Sequence, residues 1–467
     1  MRIKNKDRFA KRIKTGYYRS VQLCLFFILI LMSGCQFRDD TFVDLTDIEA
    51  AKNLKFKVIR QSETDLSQGI PDNCYLPDGT PVNEWARQEE ANNALAEDGP
   101  KRMPQTSSVT ATAIIQELLK YGNQNKVLEI VGTYPSYDND GNEVTLSGKV
   151  ILPKFRKPKR LILVSHYTVG SDAEAPSNCF SLEGILVNLG YGLIIPDYRG
   201  YGITVNEVHP YLVMDETARN VIDMFLAARE WLKAVDRMAE KEDIYLMGYS
   251  QGGANTMAVE YMIEMWYNDP NDTANYIPIH RVFAGGGPYN VKATYERFVT
   301  TDTASYPVAV PLVLQGMIKG NNLKMQMSDM MQPWLCEKLD AWVNSKQYTT
   351  GQINKFIGTK VTHKLLTEEA MDQTSDKVAE LYKAMMANSV VAYNWEPEHS
   401  VYIMHSMDDE TVPYANASSA KSKWRNANIT YNFGHYGGHV MTCVRFIYSV
   451  QSLLIQEEKE MKEYEAD

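Results

Sequence analysis

The sequence has no motif typical of a cysteine-based zinc site. No Cys-x-x-Cys pair and no cluster of cysteine with histidine occurs in its 467 residues, although such spacings are the usual mark of structural zinc. Beyond Cys35 the cysteines are Cys74, Cys179, Cys336 and Cys443. Four cysteines allow three disulfide pairings, so the sequence alone selects none of them.

The chain also lacks an excess of positive charge. It contains 48 Lys and Arg against 58 Asp and Glu, and residues 1–34 hold eight of the basic residues but one acidic residue. The remainder therefore has 40 basic and 57 acidic residues, a net charge of −17. Such an acidic surface disfavours nucleic acid and anionic lipid as partners.

The apolar run near the N-terminus is too short to cross a bilayer. Residues 21–32 form a 12-residue, mainly apolar segment, whereas a spanning helix needs roughly 20 residues. A basic segment precedes it and Leu-Met-Ser-Gly-Cys follows it, ending at Cys35. This pattern resembles a bacterial lipoprotein signal peptide over residues 1–34. The resemblance implies a lipid on Cys35 and a place in the cell envelope, at the outer membrane or cell surface. An ordinary signal peptide and an anchor helix are the alternatives.

The periodicity of the chain changes along its length, and no internal repeat is present. Residues 35–110 are polar and predict a tether followed by an irregular N-terminal extension. Alternating apolar residues in 126–137 and 143–153 predict two strands, and the Asp-Asn-Asp-Gly-Asn between them is a strong hairpin signal.

Short buried strands and helices alternate further along the chain. Strand-like apolar runs occupy residues 160–166, 190–202, 243–250, 281–288 and 400–406. Between two of them, Val221, Phe225, Ala228, Leu232 and Val235 recur at helical spacing. This alternation predicts a mostly parallel α/β sheet with helices on both faces, built from residues 111–290 and 397–467.

Residues 291–396 interrupt that pattern and contain no comparable strand run. Their composition is helical, and eight of the 22 methionines fall here. We expect a helical lid or cap inserted at one end of the sheet. The methionines suit a lid that adapts to an apolar group, but they equally suit the core of a helical segment.

One short motif carries the strongest functional signal. Gly248-Tyr249-Ser250-Gln251-Gly252 lies between a predicted strand and a predicted helix. A Gly-x-Ser-x-Gly turn in this context resembles the nucleophile elbow of α/β-hydrolases. The glycines let the chain bend sharply, so that the hydroxyl of Ser250 is exposed as a candidate nucleophile.

A serine nucleophile needs a base and an acid, which in this fold follow it in the order acid and then histidine. The loop after residues 400–406 contains Asp409-Glu-Thr-Val-Pro, and we favour Asp409 over the adjacent Asp408 as the acid. Of the later histidines, His439 precedes a helix-like run, and we favour it over His435 as the base. His405 ends a buried strand before the acid and is expected to be a hydrogen-bonded neighbour of the site.

Catalysis by such a serine also needs donors for the oxyanion. The backbone N–H of Gln251, directly after the nucleophile, is one expected donor. The second should come from the loop after the third predicted strand, residues 160–166, where Tyr167 and Thr168 are both candidates. Many hydrolases of this type have His-Gly here, and this chain instead has His166-Tyr167-Thr168.

Taken in order, "SHYTVG", "PDYRGYG", "GYSQGGANT", "HSMDDETVPYANA" and "GGHV" resemble the secreted lipase and esterase branch of the α/β-hydrolases. That branch includes fungal secretory lipases and bacterial cell-wall-degrading esterases, and the resemblance covers roughly residues 126–455. It implies ester hydrolysis through an acyl-enzyme with Ser250, Asp409 and His439. No metal or organic cofactor is implied. The substrate would be a small-molecule, glycan or lipid ester, with acyl chain and alcohol left open.

Other functions fit the same sequence. A serine peptidase or aminopeptidase of the same fold would use the same three residues, and an acyltransferase would differ only in its acceptor. A surface lipoprotein that binds a ligand without catalysis is a more distant alternative. The sequence does not indicate an oligomeric state.

Overall fold

The structure, a computed structural model, describes residues 44–46, 48–97, 111–120 and 122–466. The chain divides into two units, Met1–Asp44 and Leu45–Asp467. The predicted signal peptide and the predicted lipid on Cys35 lie outside the described residues. Within the described ranges, no helix combines the length and the apolar character needed to cross a membrane.

The described part of the second unit contains nine strands and thirteen α-helices, together with short 3₁₀ helices and one π-helical turn at Asp340–Asn344. The strands are β1 (Lys57–Asp65), β2 (Lys126–Tyr137), β3 (Glu143–Pro153), β4 (Leu161–Ser165), β5 (Gly192–Pro196), β6 (Ile244–Tyr249), β7 (Ile279–Gly285), β8 (Val401–Ser406) and β9 (Ile429–Gly434). The helices are α1 (Val82–Glu97), α2 (Ala111–Lys120), α3 (Met214–Ala234), α4 (Gln251–Trp266), α5 (Val291–Thr300), α6 (Ala309–Gly320), α7 (Met327–Met330), α8 (Pro333–Cys336), α9 (Thr350–Ile357), α10 (Glu368–Met371), α11 (Asp376–Ala387), α12 (Ala415–Lys423) and α13 (His439–Ala466).

All nine strands form one sheet, in the order β1-β2-β3-β5-β4-β6-β7-β8-β9. The pairs from β1 to β5 are antiparallel, and the pairs from β5 across to β9 are parallel. The predicted mostly parallel α/β fold is therefore confirmed. Because parallel strands present their carboxyl ends at one edge, the loops after β4, β6 and β8 meet there.

Both faces of the central strands are buried. On one face, alternate residues such as Ile162, Val164 and Met247 belong to a core cluster that includes residues of α2 and α13. The residues between them, such as Leu163 and Leu246, are also buried, and α3 and α4 contact each other and strands of the sheet. This explains why β4 and β6 are continuous apolar runs rather than alternating ones.

The hairpin predicted for residues 126–153 is confirmed as β2 and β3, but the N-terminal extension differs from its prediction. The sequence predicts an irregular segment over residues 57–65, whereas they form β1 and pair with β2. The prediction is wrong for Lys57–Asp65, because β1 is an edge strand. Most of its side chains are exposed or half-buried, so its sequence lacks the apolar alternation of a covered strand.

The segment between β7 and β8 is helical, as predicted for residues 291–396, and holds α5 to α11. Its methionines belong mostly to its interior. Five of the eight are buried, namely Met317, Met325, Met330, Met331 and Met385. Of the two interpretations of this composition, the buried positions support a helical core.

A buried ion pair ties β2 to β3. Lys149 Nζ lies 2.5 Å from Glu129 Oε2, and both side chains are almost fully buried. Lys149 also donates to the backbone oxygen of Cys179, and Glu129 accepts from Thr64 of β1. Each charge therefore depends on the other for neutralisation in a region that water does not reach.

We expect Glu129→Ala to lower the free energy of unfolding by about 3–5 kcal/mol, because it leaves the Lys149 ammonium buried without its counter-ion. Urea unfolding would measure the change. The double replacement Glu129→Leu with Lys149→Met should recover most of the loss. Lys157→Ala breaks an exposed pair with Asp236 and should cost less than about 1 kcal/mol. An equal loss in Glu129→Ala and the double variant would contradict this account.

Candidate active site

Ser250 lies at the turn between β6 and α4, and its backbone is strained. It has φ 57° and ψ −125°, a region that residues with a Cβ rarely occupy. Its N–H donates to the oxygen of Gly285 at 2.8 Å, which joins the turn to the end of β7. The turn therefore has the strand-to-helix geometry expected from the Gly-x-Ser-x-Gly motif.

Two glycines around Ser250 allow this turn to pack closely. A Cβ on Gly248 would lie 2.2 Å from the backbone oxygen of Gly252. A Cβ on Gly252 would lie 1.9 Å from the backbone oxygen of Ser165, at the end of β4. Both contacts are with backbone atoms that cannot rotate away, so neither position accepts a larger residue without movement of β4 or α4.

His439, the first residue of α13, bridges Ser250 and Asp409. Its Nε2 lies 2.8 Å from Ser250 Oγ, and its Nδ1 lies 2.6 Å from Asp409 Oδ2. Only 5% of Ser250 and 4% of His439 is exposed. A neutral imidazole that donates from Nδ1 to the carboxylate leaves Nε2 free to accept a proton from the hydroxyl.

The carboxylate of Asp409 is held ionised despite its burial. Burial opposes the charged form, but the facing His439 and the backbone N–H of Val412 outweigh it and lower the pKa of Asp409 below its usual value. Its Oδ1 accepts from the N–H groups of Thr411 and Val412 at 2.9 and 2.8 Å. The loop after β8 thus wraps its backbone around this side chain.

The less favoured candidates have partners other than Ser250. His435 Nδ1 pairs with Asp408 Oδ1 at 2.8 Å, and both side chains are exposed. His405 is buried, and its Nε2 contacts the oxygen of Val412 at 3.0 Å. His405 therefore packs against the loop that holds Asp409, as expected for a hydrogen-bonded neighbour.

Two further side chains fix the backbone of His439. The hydroxyl of Tyr249 donates to the oxygen of His439 at 2.7 Å, and the N–H of His439 donates to Glu410 Oε2 at 3.2 Å. Sequence reasoning missed both residues. Tyr249 is adjacent to Ser250 and Glu410 is adjacent to Asp409. Neither motif, however, indicates a contact with His439, which lies in another part of the chain.

The two candidates for the second oxyanion donor have different surroundings. Thr168 lines the cavity beside Ser250, and its Oγ1 lies 2.8 Å from the hydroxyl of Tyr211. Tyr167 belongs to the hydrophobic core, and its hydroxyl donates to the backbone oxygen of Tyr75. Gln251 follows Ser250 as the first residue of α4.

A buried histidine holds the side chain of Gln251. Burial and the nearby Lys346 lower the pKa of His209 to about 3, so its imidazole is neutral. Its Nδ1 donates to the oxygen of Arg199 at 2.8 Å, and its Nε2 accepts from Gln251 Nε2 at 2.9 Å. No sequence pattern indicates a role for His209, because its contact with Gln251 exists only in the folded chain.

The cavity beside Ser250 is narrow and mostly apolar. From the helical segment between β7 and β8 it is lined by Thr294, Tyr306, Ala309 and Val313. None of the methionines that the structure describes in that segment lines it. The N-terminal extension also contributes, since Pro77 and Asp78 lie in the wall.

These two walls are joined by hydrogen bonds. The hydroxyls of Tyr306 and Thr350 donate to the oxygen of Pro77 at 3.1 and 3.2 Å, and Gly351 N–H donates to the oxygen of Asp78 at 2.9 Å. Part of the segment predicted as an extension thus borders the candidate active site.

The fold recurs in solved structures of esterases and lipases. The rice cell wall degrading esterase LipA from Xanthomonas oryzae matches with a TM-score of 0.61 and 19% identity, over 74% of this chain and 95% of LipA. Lipase A from Candida antarctica in its closed state matches with a TM-score of 0.51 and 16% identity, over 70% of this chain and 78% of that chain. At such identities the likeness establishes a shared α/β-hydrolase fold.

Sequence comparison is more specific. No curated protein matches the chain significantly. The family model for secretory lipases, however, matches residues 177–445, which is more than half of the sequence. The chain therefore belongs to the secretory lipase family and is a carboxylic ester hydrolase.

Proposed function

We propose that the protein cleaves carboxylic esters through an acyl-enzyme on Ser250, with His439 as the base and Asp409 as the acid. The observation that carries the proposal is the continuous chain of hydrogen bonds, 2.8 Å from Ser250 Oγ to His439 and 2.6 Å from His439 to Asp409. A serine hydroxyl is a poor nucleophile unless such a base is within reach.

The reaction proceeds in two halves. Ser250 Oγ attacks the carbonyl carbon of the ester while its proton passes to His439 Nε2. The tetrahedral intermediate collapses, the C–O bond to the alcohol breaks, and the alcohol leaves with that proton. Water then attacks the acyl-enzyme with His439 again as base, which releases the carboxylic acid and restores Ser250. Asp409 stabilises the imidazolium in both halves.

The oxyanion is bound by the backbone N–H groups of Gln251 and Thr168. The position of Thr168 in the cavity wall supports it over Tyr167, whose side chain points into the core and bonds Tyr75. Each donor contributes about 3–4 kcal/mol to stabilisation of the transition state. His209 is a positioning residue, because it holds the side chain of Gln251 without touching the substrate.

Residues 291–396 act as a lid on a core formed by residues 111–290 and 397–467. Support comes from the near-complete burial of Ser250 and from Thr294, Ala309 and Val313, which line the cavity above it. Motion of part of this wall would widen the path of an ester to Ser250 Oγ. The apolar lining favours an apolar acyl group on a small-molecule, glycan or lipid ester.

The first test is the hydrolysis of p-nitrophenyl esters from acetate to palmitate by the purified protein. We expect turnover that falls roughly 10⁶-fold in Ser250→Ala, because the nucleophile is removed while a Cβ is retained. A fluorophosphonate probe should label the protein but not Ser250→Ala. Replacement of the exposed Ser418 in α12 by alanine should leave turnover and labelling unchanged.

The other outcomes distinguish the remaining functions. Cleavage of aminoacyl p-nitroanilides without ester turnover would indicate a peptidase. Faster release of p-nitrophenol when an alcohol acceptor is added, with transfer of the acyl group to it, would indicate an acyltransferase. Neither turnover nor probe labelling would indicate a binding protein and contradict the proposal.

Asp409→Asn and Asp408→Asn form a matched pair that tests the identity of the acid. Asp409→Asn should lower kcat about 10,000-fold, because an amide favours the wrong tautomer of His439. Asp408→Asn changes a neighbouring exposed carboxylate that pairs with His435, and kcat should stay within about twofold. Circular dichroism would establish that both variants fold. The reverse ranking would reject Asp409.

A secretory family fits an exported protein, and the N-terminal motif supports a more specific location. After removal of residues 1–34, Cys35 carries a lipid that anchors the enzyme to the bacterial cell envelope, at the outer membrane or cell surface. The acidic remainder of the chain disfavours a second contact with anionic lipid.

Cys35→Ser should abolish incorporation of labelled palmitate during expression in a bacterial host and release the enzyme from the membrane fraction. Cys24→Ser is the matched control, because Cys24 lies within the apolar core of the signal peptide and is removed with it. Palmitate incorporation that persists in Cys35→Ser would contradict lipidation at this residue.

A further inference from the structure

A second group of chemically active side chains lies at the far end of α4. Glu260 and Glu264 are one turn apart on this helix, and His399 precedes β8. One potential ligand atom from each of the three lies within 4.8 Å of the others. His399 Nδ1 is 2.7 Å from Glu264 Oε1 and 3.7 Å from Glu260 Oε1. Residues from two distant parts of the chain thus converge on one point.

The carboxylate of Glu260 is wholly buried. Its exposed fraction is 0%, and neither oxygen has a hydrogen bond to any residue that the structure describes. His399 Nδ1 lies 3.7 Å from Oε1, beyond hydrogen-bond range. A buried polar group without a hydrogen bond is costly, and burial raises the pKa of Glu260 to about 8. A cation beside this carboxyl group would therefore stabilise its charged form.

Glu264 is held in place by neighbours outside the group. Its Oε2 accepts from Trp395 Nε1 at 2.5 Å, and its Oε1 accepts from the N–H of Glu398 at 2.9 Å. Such outer hydrogen bonds are typical of carboxylates that bind metals, because they fix the orientation of the ligand atoms.

We propose that Glu260, Glu264 and His399 bind one divalent transition-metal ion with the ligand preference of zinc. In the metal-free protein, burial alone would lower the pKa of His399, but its pairing with the two glutamates raises it to about 9, and burial raises the pKa of Glu260 to about 8. A bound dication would displace the protons from both groups, and the two carboxylates and neutral imidazole that result carry a charge of −2, which the dication neutralises. Zinc accepts mixed oxygen and nitrogen ligands, whereas magnesium and calcium prefer oxygen alone. The sequence was expected to bind no metal partly because it lacks cysteine motifs. This site contains no cysteine, so that reasoning does not apply to it.

The observed spacing suits such an ion. Ligand atoms about 2.0–2.1 Å from a tetrahedral zinc lie about 3.3 Å from one another. The distances of 2.7 and 3.7 Å from His399 Nδ1 to the two glutamates lie on either side of that value. His399 is partly exposed, which leaves a path for the ion and room for water as a fourth ligand.

The ion is structural rather than catalytic. Glu260 is ten residues after Ser250 on α4, which corresponds to about 15 Å along the helix. The ion would join the far end of α4, the helix that follows Ser250, to the residues just before β8. The loop after β8 carries Asp409. The ion would therefore stabilise the arrangement of two elements that carry the active site.

The test is zinc binding by the purified protein after treatment with EDTA and dialysis. Isothermal titration calorimetry with zinc chloride should give one ion per chain, and the Tm should rise by several degrees. Magnesium or calcium chloride at the same concentration should not raise it. An anomalous X-ray signal at the zinc edge would locate the ion between α4 and His399.

Glu260→Gln and His399→Gln should each weaken zinc binding about tenfold or more, because each loses a ligand. Without zinc, Glu260→Gln should melt no lower than the unchanged protein, since it removes a buried carboxylate that lacks a hydrogen bond. His363→Gln is the control. It breaks an exposed histidine–carboxylate pair with Asp302 and should leave zinc binding unchanged.

Two results would overturn the proposal. The first is that the unchanged protein does not bind zinc. The second is that Glu260→Gln and His399→Gln both bind zinc as tightly as the unchanged protein does. Either would mean that the group is a histidine–carboxylate ion pair without a metal. Should Glu260→Gln fail to fold, His399→Gln gives the same comparison at a partly exposed position.

Discussion

The strained backbone at Ser250 is the constraint on which the rest of the site depends. A residue with a Cβ at φ 57° costs of order 1–3 kcal/mol, and the surrounding packing must sustain it. The close contact of Gly252 with Ser165 fixes α4 against β4, and the hydrogen bond from Ser250 to Gly285 fixes the turn against β7. Neighbouring strands on both sides of β6 therefore hold the turn in its unfavourable conformation.

Burial sets the second constraint, because the site needs a charge where water is scarce. Three hydrogen bonds, from His439 and from the N–H groups of Thr411 and Val412, stabilise the buried charge of Asp409. Backbone donors cannot be lost by rotation of a side chain, so the loop after β8 fixes both the charge and its orientation. Asp408, one residue earlier, faces solvent and pairs with His435 instead.

The sequence predicted the central sheet and proposed Ser250, Asp409 and His439 because each has a local signal. Ser250 has its flanking glycines, Asp409 follows a buried strand, and His439 follows two glycines ahead of a helix. β1 was missed because an exposed edge strand has no apolar alternation to detect. Residues whose role depends on tertiary contact had no signal either. Tyr249 supports His439 across 190 residues of chain, and the imidazole of His209 meets Gln251 from 42 residues away.

Helix α4 illustrates how one element serves two demands. Its first turn must approach β4 so closely that only glycine fits at position 252, and its last turns place Glu260 and Glu264 against the segment that enters β8. The strain at Ser250 favours any motion that lets the start of the helix relax. A cross-link at the far end of α4 would oppose movement of the helix relative to the segment that enters β8. A metal at Glu260, Glu264 and His399 would supply that cross-link without adding any group to the reaction.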